Sequence, residues 1–417
     1  MLARWLSLAA LAVVLLALAG CGGVAASGAT EATGSQLAIY SSLPLQGPAA
    51  AASLQLVNGE KLALSEAGAR AGPFTIGFVS LDDAETATGL RSPGAAETNA
   101  KTAAQDTSTI AYLGDYGSAA TAVSLPLTNG AGILQVSPSA PYVGLTSSLD
   151  AGQDEPERFY PTGHRTFGRL APGDIVEAAA QAQLAKSLGV HKLYVLDDQE
   201  PFRVPLAAIV ASDAEKEGIV IAAHDSIATL SSSVFTGEVE KILASGAQAV
   251  FLAGDDGSGT VKLWRELHAA DPELLLLGAS SMLSESFTSQ IGAAGAQTYL
   301  TTPVLPPALY PRSAQRVLRA YRRTFTGEAG PWVLYGYEAM SAVLDAIRSA
   351  GVHGNDRRAV VERFFATRNR NSVIGRYSVE PNGETTLSRY GVDRVSDGRA
   401  VFFRAISVPP SARTASG

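Results

Sequence analysis

Apolar residues recur along this chain in two rhythms. Short runs rich in aliphatic and β-branched residues at 37–40, 74–81, 110–114 and 133–137 predict strands, and a second series at 192–197, 219–223, 249–254 and 274–278 repeats the pattern. Between the runs lie stripes at helical spacing. Phe235, Val239, Ile242 and Leu243 share one helix face; so do Val317, Leu318, Tyr321 and Phe325, and so do Tyr337, Met340, Leu344 and Ile347. Strand alternating with helix is the pattern of βα units on a mostly parallel sheet. Two series of four strands, separated by a loop-rich stretch at 150–172, predict an α/β fold of two doubly wound parallel-sheet lobes.

The helices of 313–350 are surplus to the second lobe and predict a return to the first. Residues 301–303 would then be a second crossing and 371–375 a third, before a last strand at 401–406. Three crossings make a three-segment hinge, because motion between lobes is absorbed by a few residues that change φ and ψ. This reading assigns 37–160 and 303–372 to lobe I, 161–302 and 373–406 to lobe II, and 407–417 to a C-terminal tail.

The N-terminus departs from this pattern. Arg4 precedes an apolar run at 5–19, shorter than the roughly 18 residues of a spanning helix, and Leu18, Ala19, Gly20 and Cys21 follow as a lipobox. Residues 1–20 therefore read as a lipoprotein signal peptide. Cys21 is the only cysteine, so it has no internal disulfide partner, and its place directly after the cleavage site predicts thioether lipidation. Residues 22–36 are almost wholly Gly, Ala, Ser and Thr, a composition that buries too little apolar area to order itself, so 21–36 reads as a lipidated flexible tether.

A net charge of −7 has the wrong sign for tracking phosphates, and no basic cluster is interleaved with aromatics; nucleic acid is not an expected partner. The chain contains no G-x-S-x-G elbow, Walker loop, G-x-G-x-x-G or H-E-x-x-H, and its five histidines lack ligand spacing, so neither a cofactor nor a metal is expected. Candidate chemistry lies at strand ends, where α/β sheets bind ligands. In the run from Gly114 to Thr121, Ser118 can cap the following helix and present its hydroxyl and free N–H groups to a carboxylate. Ser137, Pro138, Ser139, Ala140 and Pro141 form a second polar loop. The pairs Asp82/Asp83, Asp197/Asp198 and Asp255/Asp256 are caps, ligand contacts, or acids that meet for aspartate-based hydrolysis.

These segments together resemble a known family. Leu43 to Pro48, Val79 to Asp83, Tyr112 to Thr121 and Ala131 to Ala140, with 192–202, 247–254, 275–281 and 335–350, resemble type I periplasmic binding proteins of the leucine/isoleucine/valine-binding kind. The resemblance implies that Ser118 binds carboxylate, that Ser139 and Ala140 add hydroxyl and backbone contacts, that Phe202 covers the ligand from the second lobe, and that Trp332 lies near an aromatic of the returning helices. Two departures matter. Pro141 stands where the family often has Thr, and Ser280 where it often has the acid that holds an ammonium group, so an α-amino acid would need Asp255 or Asp198 instead. The resemblance implies an extracytoplasmic lipoprotein that presents a branched-chain amino acid, or a related carboxylate or amide, to an ABC permease. A receptor for a membrane signalling protein and an aspartate-dependent hydrolase are the alternatives.

Overall fold

A computed structural model of the protein describes residues 31–86, 92–228 and 234–412. The signal peptide and Cys21 lie outside the described residues. Strands β1 (Gln36–Leu43), β2 (Arg70–Ala71), β3 (Phe74–Asp82), β4 (Thr109–Gly114), β5 (Leu134–Ser137) and β6 (Phe167–Arg169) form one sheet in the order β2-β3-β1-β4-β5-β6. Strands β7 (Lys192–Asp197), β8 (Val220–Ser226), β9 (Ala249–Ala253), β10 (Leu275–Gly278) and β11 (Thr298–Thr302) begin a second sheet. After a short ribbon, β12 (Arg370–Asn371) with β13 (Arg376–Tyr377), strands β14 (Arg389–Ser396) and β15 (Arg399–Ser407) complete it in the order β15-β14-β11-β10-β9-β7-β8. Each sheet is parallel apart from β2 in the first and β14 and β15 in the second. Strand order reverses beside β1 in one sheet and beside β7 in the other, and ligands bind beyond strand ends at such reversals.

The helix Trp332–Ala350 returns to the first lobe and packs along the helix Ala50–Glu66. Glycines let the two backbones approach closely: a Cβ on Gly336 would lie 2.0 Å from the Leu56 carbonyl oxygen, and one on Gly59 2.3 Å from that of Val333. Met340, Leu344 and Ile347 are buried as their spacing predicts, and Tyr337 is partly buried. In the second lobe Phe235, Val239 and Ile242 are buried, but Leu243, in the last turn of the nine-residue helix Thr236–Ala244, is exposed.

The crossings fall elsewhere than expected. Strand β6 pairs with β5 through Gln135 and Phe167, so the chain stays in the first sheet past residue 161 and crosses at 170–173. Thr301 and Thr302 belong to β11, a strand buried along its whole length, and the second crossing begins at Pro303. Residues 371–375 are not a crossing: Val373, Ile374, Tyr377 and Val379 sink into the first lobe's core, and the Thr385 hydroxyl still bonds the Leu170 carbonyl. The chain enters the second sheet only at Arg389. The segment 31–36, expected as tether, is also ordered. The Ala32 N–H bonds the Asn355 carbonyl, Thr33 N–H bonds that of Thr107, and Ala32 is buried, all at the amino ends of the first sheet's strands.

One buried acid weakens this lobe. Glu60 faces inward from the helix Ala50–Glu66, and neither of its carboxyl oxygens has a hydrogen-bond partner. Burial pushes its pKa up to about 8, and neighbouring Ser41 and Lys61 offset only part of that cost. The folded protein keeps this proton to about pH 8, whereas the unfolded chain releases it above about pH 4.5. Stability therefore falls as pH rises between those values. Glu60→Gln should flatten that decline and gain on the order of a few kcal/mol at pH 8 over the native protein, read from urea unfolding at pH 5, 7 and 8.5. Parallel pH profiles for the two proteins would remove Glu60 as its source.

Candidate ligand-binding cleft

Loops that follow the carboxyl ends of β5 and β7 meet at Tyr142 and Phe202, and the first wall of the candidate cleft is built from the end of β4. Gly114 has φ of +144°, and a Cβ there would lie 2.6 Å from the Ser42 carbonyl oxygen, so only glycine allows the strand to turn so close to β1. The next residue, Asp115, is buried. Its carboxylate accepts hydrogen bonds from the Tyr112 hydroxyl at 3.0 Å and from Ser124, while its own carbonyl accepts from the Ser137 hydroxyl at 2.7 Å. Burial raises the Asp115 pKa to about 7 against these donors. This network fixes where the helix Ser118–Gly130 begins.

Gly117, not Ser118, occupies the N-cap position of that helix. The Ser118 hydroxyl instead accepts a hydrogen bond from the Tyr142 N–H at 3.1 Å, which leaves its own hydrogen as the group it can donate. The first intrahelical bond runs from Thr121 N–H to the Gly117 carbonyl, so the amides of Ser118, Ala119 and Ala120 precede the ladder. A hydroxyl donor beside first-turn amides favours an anion.

The second loop of this wall is tied to itself. Ser137 Oγ accepts from the N–H groups of Ser139 and Ala140 at 3.2 and 2.9 Å, and Ser139 Oγ donates to the Tyr116 carbonyl at 2.8 Å. The Ala140 carbonyl accepts from the Arg169 guanidinium at 2.7 Å. Ser139 and Ala140 are both buried, and in this conformation they shape the loop. Aromatic rings stand around it. Tyr116 and Trp332 lie 5.9 Å apart, Trp332 touches Tyr335, and Tyr142 meets Phe202 edge-on at 5.1 Å. Tyr142 follows β5 and Phe202 follows β7, so this last pair bridges the lobes.

The acids of the second wall, and Asp82 of the first, are engaged. Ser280 donates through its N–H and its hydroxyl to Glu177, at 2.6 and 2.8 Å. The hydroxyls of Thr301 and Tyr390 supply two further donors to the same carboxylate, at 2.6 and 2.8 Å. Glu177 was not among the residues expected here; it stands in the first turn of the helix Asp174–Ser187, remote in sequence from β10, with only its spacing of three from Asp174 as a signal. Asp255 accepts from Gly257 N–H and the Thr260 hydroxyl and holds the start of the helix Ser258–Ala270. Asp198 pairs with Arg203 at 2.7 Å, Asp197 holds Gln199 and Ser226, and Asp82 holds Leu45, Gln46 and Ala84. Each carboxylate has protein partners, within its own loop for Asp255 and Asp198 and on neighbouring segments for Glu177, Asp197 and Asp82. Among the described residues no cluster of three His, Cys, Asp or Glu side chains is placed to hold a metal, and no helix is long and apolar enough to cross a membrane. Two surface cavities of about 370 Å³, one between the first lobe's helices and one lined by the crossings, contain none of the expected site residues.

Residues 41–399 match the model of a family described as periplasmic binding protein. The chain belongs to that family. Several solved structures share the chain's fold. A leucine-binding protein from Thermotoga maritima is similar to it with a TM-score of 0.73 and 20% identity, over 90% of this chain and 99% of that one. A branched-chain amino acid transporter substrate-binding protein from Streptococcus pneumoniae, solved with isoleucine, gives 0.68 and 18% over 90% and 100%. A solute-binding protein of an ABC transporter from R. palustris, solved with 4-hydroxybenzoate, gives 0.71 and 15% over 89% and 96%. At such identities these likenesses concern the fold. No curated protein matches the chain.

The Asp115 network carries its own test. Ser124 lowers the Asp115 pKa by donating to the carboxylate, so Ser124→Ala should move the Asp115 titration midpoint above about 7. Carboxyl-carbon NMR across pH 5 to 9 reads this directly. A midpoint that stays in place would mean that Ser124 does not hold the loop beneath the helix start.

Proposed function

We propose that this periplasmic binding protein captures a small organic carboxylate between its lobes and delivers it to an ABC permease. The observation that carries the reading is the start of the helix Ser118–Gly130, where a hydroxyl oriented by Tyr142 sits beside amides outside the helical ladder. Trp332 and Tyr116 on the first lobe and Phe202 on the second supply apolar surface for the rest of the ligand. Ser139 and Ala140 keep the loop behind the carboxylate in shape. The open form exposes the first wall, and closure adds contacts from the second, so a ligand that meets both walls favours the closed form. The permease would read that form.

The occupied acids bear on ligand class. Ser280 stands where an acid would hold an ammonium group, and the nearest carboxylate, Glu177, already receives four donors. Asp198 is held by Arg203 on both carboxylate oxygens, and Asp255 is held by Gly257 and Thr260 on one, so an α-ammonium group would have at most the second oxygen of Asp255 to bind. This favours a carboxylate or amide without an ammonium group over a branched-chain amino acid. The relatives solved with isoleucine and with 4-hydroxybenzoate span both choices. Native mass spectrometry of the purified protein for a co-purifying solute, then calorimetry with leucine, isoleucine, their deaminated analogues and 4-hydroxybenzoate, decides between them.

Ser118→Ala removes one charge-assisted hydrogen bond, worth about 1.5 to 3 kcal/mol, and should weaken binding of the identified ligand by roughly 10- to 150-fold. Gly117 keeps the cap, but the buried Tyr142 N–H loses its acceptor, so the ligand-free variant should also lose stability, on the order of 1 kcal/mol, and its unfolding is measured alongside affinity. Unaltered affinity would move the carboxylate site elsewhere. The same reading places the protein at the outer face of the cytoplasmic membrane by a lipid on Cys21, so Cys21→Ala should shift it from the membrane fraction to the soluble fraction. Retention with the membrane would point to a different anchor.

A further inference from the structure

Arg169, the last residue of β6, is fully buried and binds two separate segments beside the hinge. Its guanidinium donates to the carbonyls of Ala140 and Tyr142 at 2.7 and 2.9 Å and to the Thr146 hydroxyl at 2.7 Å. It also pairs at 2.8 Å with Glu384, which accepts from the Thr146 hydroxyl at 2.6 Å. Its backbone N–H bonds the Gly383 carbonyl at 3.0 Å. Glu384 and Gly383 lie on the approach to the third crossing, and Arg169 itself leads into the first.

The first crossing is bonded to the same loop. Leu170 N–H reaches the Ser137 carbonyl, Asp174 N–H reaches that of Pro141, and the Asp174 carboxylate accepts from Val143 N–H at 3.1 Å. The space is fully used: a Cβ on Gly173 would lie 2.9 Å from the Pro141 carbonyl oxygen and 3.2 Å from the Arg169 guanidinium carbon. Asp174 opens the first helix of the second lobe. The loop 137–146 thus has hydrogen bonds to both lobes and to two of the three crossings, and Arg169 is the side chain common to them.

We propose that Arg169 is a positioning residue that couples loop 137–146 to the first and third crossings, so that the loop's placement and the lobe angle change together. The loop's role in recognition rests on the cleft reading above, whereas the coupling is a property of the chain without any ligand. A buried cation with four partners keeps them only while all stay in register, and a change of lobe angle that moves Glu384 or Asp174 pulls on the carbonyls of Ala140 and Tyr142. Ser118 follows, because its hydroxyl is bonded to Tyr142 N–H.

Hydrogen exchange of the full chain, without ligand, tests this. Glu384→Gln alters the third crossing and leaves every loop residue intact. Amides of the loop and the first crossing, those of Ala140, Tyr142, Val143, Leu170 and Asp174, should exchange roughly tenfold faster or more, together, while the amides of β9 and β10 keep their native rates. Arg169→Lys keeps a charge for Glu384 but cannot reach both carbonyls, so the loop amides should quicken again. Faster exchange confined to 380–386 would overturn the proposal, as would a uniform rise across both lobes that follows the loss of global stability. Neither result depends on Ser118 binding a carboxylate, so the two readings fail separately.

Discussion

Close approach of two helix backbones underlies the whole arrangement. Gly59 and Gly336 allow the helix Trp332–Ala350 to lie against Ala50–Glu66, with Leu56 and Val333 carbonyls where side chains would otherwise stand. That contact brings the chain back to the first lobe after the second has received its parallel strands. The second sheet still needs β14 and β15, so the chain must cross again. A two-lobed body with three connections is the consequence of that single packing event, because a chain that stayed in the second lobe would leave the face of the first sheet uncovered.

Polar interior groups then divide into two kinds. Glu177 and Arg169 are buried with four side-chain hydrogen bonds or ion pairs each, and such networks hold distant segments in one geometry. Glu60 is buried with none. Glu177 ties the first helix of the second lobe to its strands, and Arg169 ties the loop 137–146 to the approaches of two crossings. The second kind sits under the helices of the first lobe, where the neighbouring buried Glu338 is held by Arg370 and Tyr377.

Much of this organisation is legible in the order of the residues alone. Eight strands in two series follow from continuous aliphatic runs, since strands in the middle of a parallel sheet are apolar on both faces. β6 escapes because three residues, Phe167 to Arg169, carry no period, and with it goes the true position of the first crossing. β14 is broken by Gly391 and by charges at Arg389, Asp393 and Arg394, which an antiparallel strand near a sheet edge tolerates. Ser118 is legible as a residue of interest because it stands at a strand-to-helix turn, but its partner Tyr142 lies in another loop. Glu177 and Arg169 are out of reach for the same reason: their meaning lies in partners more than a hundred residues away or on separate crossings, and no local spacing encodes that.

The clasp at Glu31 to Thr33 has a mechanical consequence. These residues are bonded to Asn355 and Thr107 at the amino ends of the first sheet's strands, the pole of lobe I farthest from the cleft. Any pull transmitted along the chain from its N-terminus therefore enters one rigid lobe at its base and runs along the strands of a single sheet. No component of that load passes through the three crossings. A force applied from that side would turn or drag the molecule as a whole, with no leverage that pries the two lobes apart.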